Sequence, residues 1–175
     1  GEQYGQRFPQ MKNAVKAAVA AQVPLVAYAS LVNCATSTLR LADEHKQTEA
    51  LIRESGLTHV FLRNGAYTEL YCGELGDLAP ALKSGTMIGS GGDGKISGAT
   101  RPDLAAAAAV ILTGEGHADK AYELGGAPFT LADVAAEFAA QSGRPLVYQD
   151  LTEQEYSDAL VGAGVPKPFA DLLAD

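Results

Sequence analysis

This sequence is short of cysteine, histidine, basic charge and long apolar runs, and each shortage removes a class of function. Its two cysteines, Cys34 and Cys72, form neither a Cys-x-x-Cys nor a metal-ligand spacing. We expect them to be reduced thiols. The three histidines, His45, His59 and His117, make no His-x-x-x-His pair, so no metal site is expected. No apolar run reaches the roughly 18 residues of a membrane span. The longest, Leu104 to Leu112, is half of that and rich in alanine. The 13 basic residues are outnumbered by 21 acidic ones, for a net charge of -8. A nucleic-acid surface needs a basic face, and no basic cluster is present. There is no Gly-x-Ser-x-Gly elbow, and no charged-then-apolar leader pattern opens the chain. The expectation is a cytoplasmic protein with no membrane or nucleic-acid partner.

At 175 residues and 47% hydrophobic content, the chain is long enough for a substantial core. Met11, Val15, Ala18 and Val19 recur at helical spacing, which predicts an amphipathic helix over 9–22. A strand is predicted over 24–30 and a loop over 31–41. Asp43 is the expected cap of a helix to Ser55, ended by Gly56, with Ala42, Leu51 and Ile52 toward the core and charges elsewhere. Thr58 to Leu62 is the next strand. Helix, strand, helix, strand with short connections predicts an α/β fold with parallel strands and right-handed crossovers.

A helical excursion is expected over 64–85. Three capping boxes follow, Thr100-x-x-Asp103, Thr130-x-x-Asp133 and Thr152-x-x-Glu155. They predict an alanine-rich helix, a helix to about Gln141, and a helix ended by Gly162 or Gly164. Short strands are predicted at 121–124 and 146–148, and a last apolar helix over 168–174.

Val60-Phe61-Leu62 runs straight into Arg63-Asn64-Gly65, as a buried parallel strand does when its carboxyl end opens into a binding crevice. The strand before it ends in Ala29-Ser30 in the same manner. Asn64 and Gly65 suit a ligand edge, because glycine admits close backbone approach and an asparagine amide both donates and accepts. A plain Asn-Gly turn explains them equally well. Arg63, Lys95 and Arg101 are candidates for an anionic ligand, with a structural ion pair the alternative for Arg63. His45 is read either as a packing or surface histidine or as an acid or hydrogen-bond donor. Tyr28, Tyr67 and Tyr71 are candidates for a ligand edge or for the core. The glycines of 89–94 tempt a phosphate-loop reading, but they follow no clear strand and open no helix, so a turn or flexible hairpin is expected. The net charge is also uneven. Residues 1–114 carry ten acidic and ten basic side chains, and residues 115–175 carry eleven and three.

Several segments occur in an order that resembles a known family. They are Gly5-Gln6-Arg7, Ala27-Tyr28-Ala29-Ser30-Leu31, Leu41-Ala42-Asp43-Glu44-His45-x-x-Thr48-Glu49, Leu62-Arg63-Asn64-Gly65-x-Tyr67, Gly92-Asp93-Gly94-Lys95-Ile96 and Ala99-Thr100-Arg101-x-Asp103. Together they resemble the NmrA-like branch of the atypical short-chain dehydrogenases, on the side of its quinone and triphenylmethane reductases. The resemblance implies the later half of a Rossmann-like parallel sheet with a small C-terminal α/β substrate lobe. The family's glycine loop for the cofactor pyrophosphate belongs to a preceding β-α-β half that this sequence does not resemble. The implied organisation is a partial NAD(P)-binding domain at 1–65, an excursion into the substrate lobe at 66–98, a return at 99–126 and the lobe again at 127–175.

The resemblance further implies an NADPH- or NADH-dependent oxidoreductase that passes hydride to a quinone or similar flat acceptor. The alternative it carries is a dinucleotide-binding redox sensor that acts through a protein partner. Cofactor contact falls on Asn64, Gly65, Ala66, Tyr67 and Thr68, with Arg101 beside them, and the catalytic candidates are His45 and Tyr67. His45 stands where related reductases of the isoflavone type keep a lysine, and the Tyr-x-x-x-Lys pair of ordinary short-chain dehydrogenases is absent. A homodimer is the implied assembly.

Overall fold

Alternation along a single strand organises one half of the molecule. This computed structural model describes residues 7–74 and 78–175. Strand β2 (His59–Asn64) lies between β1 (Val26–Leu31) and β6 (Lys120–Leu124), and both pairings are parallel. Val60, Phe61 and Leu62 are all buried. Successive side chains leave a strand on opposite faces, so each face of β2 has its own cluster. Phe61 packs with Val15 of helix α1 (Arg7–Ala20) and Ile52 of helix α2 (Arg40–Glu54). Val60 and Leu62 pack with Ile111 of helix α4 (Arg101–Thr113). A strand covered on both faces reads as a continuous apolar run, which is why this one does. The Arg53 guanidinium lies 4.6 Å from the Phe61 ring centroid and closes the cluster on that side.

The chain divides into two compact units, one of 1–65 and 99–125, the other of 66–98 and 126–175. The second unit holds two small sheets. Strand β4 (Thr86–Gly89) pairs in parallel with β8 (Val147–Asp150), and α5 (Leu131–Ser142) packs on β8. Strands β3 (Ala66–Tyr67), β5 (Ile96–Ala99) and β7 (Pro128–Phe129) make the other sheet, with β5 and β7 antiparallel. A kinked helical turn, Leu70–Glu74, and helix α3 (Leu78–Ser84) precede β4. Helices α6 (Glu153–Gly162) and α7 (Lys167–Ala174) pack together through the Ser157 hydroxyl, which donates to Asp171 at 2.6 Å. Lys167 pairs with the same carboxylate.

All three threonines cap their helices, each accepting from the amide three residues on, but only Thr130 and Thr152 complete the predicted capping box; at Thr100 the cap is one-way. Other expectations are corrected. Helix α2 starts at Arg40 with Leu39 as its uncapped N-cap, so Asp43 sits within the first turn and does not cap it. The Ala42 amide already bonds the Leu39 carbonyl at 2.9 Å, which begins the helix before Asp43 is reached. Of the predicted core face of α1 only Val15 is buried, while Val19 is exposed. The excursion at 64–85 is not all helical, because it opens with β3. The charges of α2 do not all face outward, since Glu49 is buried.

The double clamp on β2 gives a direct test. Replacing Phe61 by Ala is expected to lower the unfolding free energy by about 4 kcal/mol in urea titrations. A loss below about 1 kcal/mol would show that the α1–α2 cluster does not hold the strand.

Candidate functional site at the carboxyl ends of the parallel strands

Strands β1, β2 and β6 run the same way, so Ser30, Arg63, Asn64 and Glu123 arrive at one edge of the sheet. In open α/β sheets this edge is where ligands bind. The adjoining face of α2 is unusual. Ala42, His45, Thr48, Glu49 and Ile52 form its buried stripe, and three of the five are polar. Glu49 is 2% exposed. Its carboxylate accepts from Arg63 Nε at 2.9 Å and Arg63 Nη2 at 2.7 Å, from Ser30 Oγ at 2.6 Å and from Arg53 at 3.1 Å. Burial by itself would push that carboxyl up. The hydrogen bonds from Arg63 and Ser30, with the charges of Arg63 and Arg53, win and hold it at about 2.

Arg63 also donates to Glu123 at 2.8 Å, and the second Glu123 oxygen accepts from the Asn33 amide at 2.7 Å. Of the two readings of Arg63, the structural ion pair is the one observed. Its guanidinium is spent on two carboxylates, not held for an anionic ligand.

His45 lies in the second turn of α2 and is 7% exposed. Its Nε2 is 2.7 Å from Arg7 Nη1 and its Nδ1 is 2.8 Å from the Tyr28 hydroxyl. A guanidinium only donates. Nε2 must therefore carry the lone pair, Nδ1 carries the proton, and the ring is neutral with its N–H directed to Tyr28. Burial, followed by the charge of Arg7, lowers its pKa to about 4 against an opposing pull from Glu49. Burial likewise pushes the Tyr28 phenol up.

Asn64 ends β2. Its carbonyl accepts from the Val32 amide at 2.9 Å, and the next amide, that of Gly65, donates to the Leu124 carbonyl at 2.7 Å. The backbone is thus tied to both neighbouring strands. Its side-chain Oδ1 is buried without a hydrogen-bond partner. Such an atom costs about 1–3 kcal/mol unless something donates to it. Arg101 is half-buried at the first residue of α4 in the same unit. The chain passes into the second unit at Gly65–Ala66, where Ala66 and Tyr67 form β3 and Thr68 follows, all half-buried. The stretch Asn64 to Thr68 is united by chain continuity. The two ring nitrogens of His45 are directed to Arg7 and Tyr28.

The glycine stretch makes the expected turn, closed by the Gly94 amide on the Gly91 carbonyl at 2.8 Å, but its setting differs from expectation. It does follow a strand, because β4 ends at Gly89, but the next element is β5 and no helix opens there. It is no β4–β5 hairpin, since β4 pairs with β8 and β5 with β7. The Gly91 and Gly92 amides donate to Tyr148 Oη at 2.9 Å and Asp150 Oδ1 at 2.8 Å. The donors that a phosphate would need are taken, one of them by a carboxylate. A Cβ on Gly91 would lie 2.9 Å from Leu131 Cδ1, so a side chain there would make the leucine end shift. A cleft of about 380 Å³ between α1 and α2 is lined by Val15, Lys16, Val19, Leu51, Glu54 and Ser55. Ser55 precedes β2, which puts that cleft toward the amino end of the strand. Both cysteines are free, and among the described residues no cluster could hold a metal. Among them, too, no helix is long and apolar enough to cross a membrane.

Sequence reasoning placed Ser30 at a polar strand end but missed its partner Glu49, and it missed Glu123. The signal was present for Glu49, because Ala42, Glu49 and Ile52 share the 3.6-residue stripe that should be apolar.

The two buried ionisable groups predict separate acid transitions. His45 is depressed from 6.5 to about 4, so its contribution is complete above pH 6.5 and is lost as pH falls through about 4. That loss is about 3 kcal/mol. Glu49, depressed from 4.5 to about 2, loses its contribution only below pH 4.5. In denaturant titrations His45→Gln should flatten the stability profile between pH 6.5 and 4.5 and leave the more acid limb. A variant profile parallel to wild type there would refute the neutral ring.

No protein-family model matches the chain. It is 48% identical over 172 residues to quinone oxidoreductase 2 of Escherichia coli K12, a match that covers 98% of this chain and 59% of that protein. The crystal structure of an NADPH-dependent quinone oxidoreductase of Escherichia coli, complexed with NADPH, superposes with a TM-score of 0.92 at 46% identity, over 99% of this chain and 61% of that one. The Citrobacter sp. triphenylmethane reductase complexed with NADP(H) follows, with a TM-score of 0.88 at 36% identity and the same coverages. The chain therefore spans about three fifths of the length of these relatives. With this fold, this order of motifs and these likenesses, the chain is a homologue of those reductases.

Proposed function

We propose that this chain is part of an NAD(P)H-dependent oxidoreductase that reduces quinones or similar flat conjugated acceptors, with NADPH the first cofactor to test. The observation that carries the reading is Asn64. A buried carboxamide oxygen without a partner, at the carboxyl end of a central parallel strand, fits an N–H donor of the kind that a nicotinamide carboxamide presents. The similarity to an NADPH-dependent quinone oxidoreductase and to a triphenylmethane reductase supports the same reading. When bound, reduced nicotinamide supplies the hydride.

The chain's own residues bind and orient. In this proposal Asn64 and Gly65 meet the cofactor, Ala66, Tyr67 and Thr68 continue its contacts along the chain, and Arg101 is assigned to the same cofactor. The unit of 66–98 and 126–175 acts as the substrate lobe. Holding two flat rings in register supplies much of the rate, because orientation replaces a bimolecular encounter. Tyr67 offers a phenol O–H to the acceptor oxygen. His45 has a single ring proton, committed to Tyr28, so its share in proton delivery runs through the Tyr28 phenol. A cytoplasmic location and a homodimer complete the proposal.

Titration of the full-length protein with NADPH, followed by a simple quinone, tests the reading. Cofactor oxidation is expected on quinone addition, and saturable binding without turnover would favour a sensor. Asn64→Leu keeps the shape and removes the acceptor, so it should weaken NADPH binding about tenfold. An unchanged affinity would remove Asn64 from the site. The double variant His45→Ala, Tyr67→Phe should lower kcat by about a hundredfold or more. Near wild-type turnover in that variant would sink the proton-delivery assignment.

A further inference from the structure

Beyond the residues of the cofactor edge, the loop that leaves β1 is held by a side chain two strands away. Residues 32–39 connect β1 to α2. The Val32 amide bonds the Asn64 carbonyl at 2.9 Å and so continues the β1–β2 pairing past the strand end. Asn33 then turns with φ of 54°, a left-handed conformation that asparagine tolerates better than most residues. Its carbonyl accepts from the amides of Thr36 at 3.0 Å and Ser37 at 2.9 Å, so the turn is locally closed. Its own amide, however, is directed to Glu123 Oε2 at 2.7 Å.

Glu123 belongs to β6, and β2 lies between β6 and β1. The contact therefore carries the β1 loop across the carboxyl end of β2. Beneath it, Arg63 binds the other Glu123 oxygen at 2.8 Å and grips Glu49 with two nitrogens. Ser30 of β1 completes the chain of contacts on Glu49. Asn64 follows Arg63 directly, and Leu124, which follows Glu123, takes the Gly65 amide. These two backbone contacts adjoin the charged chain, since Val32 precedes Asn33 and Leu124 follows Glu123.

We propose, on the reductase reading given above, that Glu123 is a positioning residue: through the Asn33 amide and Arg63 it holds the β1 loop over the end of β2 and fixes Asn64 for the cofactor. Glu123 does not touch cofactor or acceptor in this assignment. It has two separable duties, an acceptor for the Asn33 amide and a counter-charge for Arg63. A glutamine keeps the acceptor oxygen and loses the charge, while an alanine loses both.

The test compares wild type, Glu123→Gln and Glu123→Ala in the full-length protein. Amide hydrogen exchange without cofactor reads the loop. The Asn33 amide should exchange roughly tenfold faster in Glu123→Ala, and close to wild type in Glu123→Gln. NADPH titration and quinone kinetics read the consequence. Glu123→Ala should weaken NADPH binding about tenfold, and Glu123→Gln should recover most of it. A purely structural role would lower melting temperature in both variants and leave NADPH affinity alone. Unchanged Asn33 protection in Glu123→Ala overturns the loop assignment. Faster exchange with wild-type NADPH affinity overturns the positioning role. A wild-type protein whose Asn33 amide is protected but which binds no NADPH overturns the reductase reading, and the functional half of this proposal with it.

Discussion

The buried pair of Glu49 and Arg63 is the constraint on which the carboxyl edge of the parallel sheet depends. Taking a carboxylate and a guanidinium out of water is expensive, and their attraction offsets that cost only when geometry is good and remaining lone pairs are filled. Both conditions hold. The contact is two-pronged, and Ser30, Arg53 and Glu123 occupy what the pair leaves over. Such an arrangement tolerates no partial version, because losing one member strands a buried charge. It ties α2, β1, β2 and β6 at one point, and that point lies one residue from Asn64.

Against this background of satisfied polar groups, the exceptions acquire meaning. The glycine-rich loop at 89–94 has amides that resemble a phosphate cradle in sequence, yet Tyr148 and Asp150 already fill them. His45 has an ideal titration range for catalysis in isolation, yet burial and Arg7 keep it neutral and bound to Tyr28. Asn64 Oδ1 has no hydrogen-bond partner, a condition it shares with one buried oxygen each of Glu44 and Glu69, but it alone of the three stands at the carboxyl end of the central strand. Chemistry is expected where a polar group is left over, not where a motif merely looks reactive.

Charge divides along the same boundary as the two compact units. The unit of 1–65 and 99–125 carries nine acidic and nine basic residues. The other unit carries twelve and four, which is the whole net charge of -8. Several of its carboxylates have local tasks: Asp133 and Glu155 serve helix N-termini, Asp150 serves the glycine loop, and Asp171 joins α6 to α7.

Much of this fold was legible in the chain itself. Val60-Phe61-Leu62 announced a strand buried on both faces, and Thr100, Thr130 and Thr152 announced three helix starts, because strand burial and helix capping are written within a few consecutive residues. The order of helices and strands determined the parallel sheet, and Arg63-Asn64-Gly65 marked its carboxyl end. What tertiary structure alone decided is which polar groups meet. Glu49 and Arg63 are fourteen residues apart, Arg63 and Glu123 sixty, and Asn33 and Glu123 ninety. No local pattern records such pairings, because they follow from strand order and register. The sequence determined that a polar edge exists; the packing of β1, β2 and β6 decided that Arg63 is consumed, that His45 is neutral, and that Asn64 is left with an acceptor to fill.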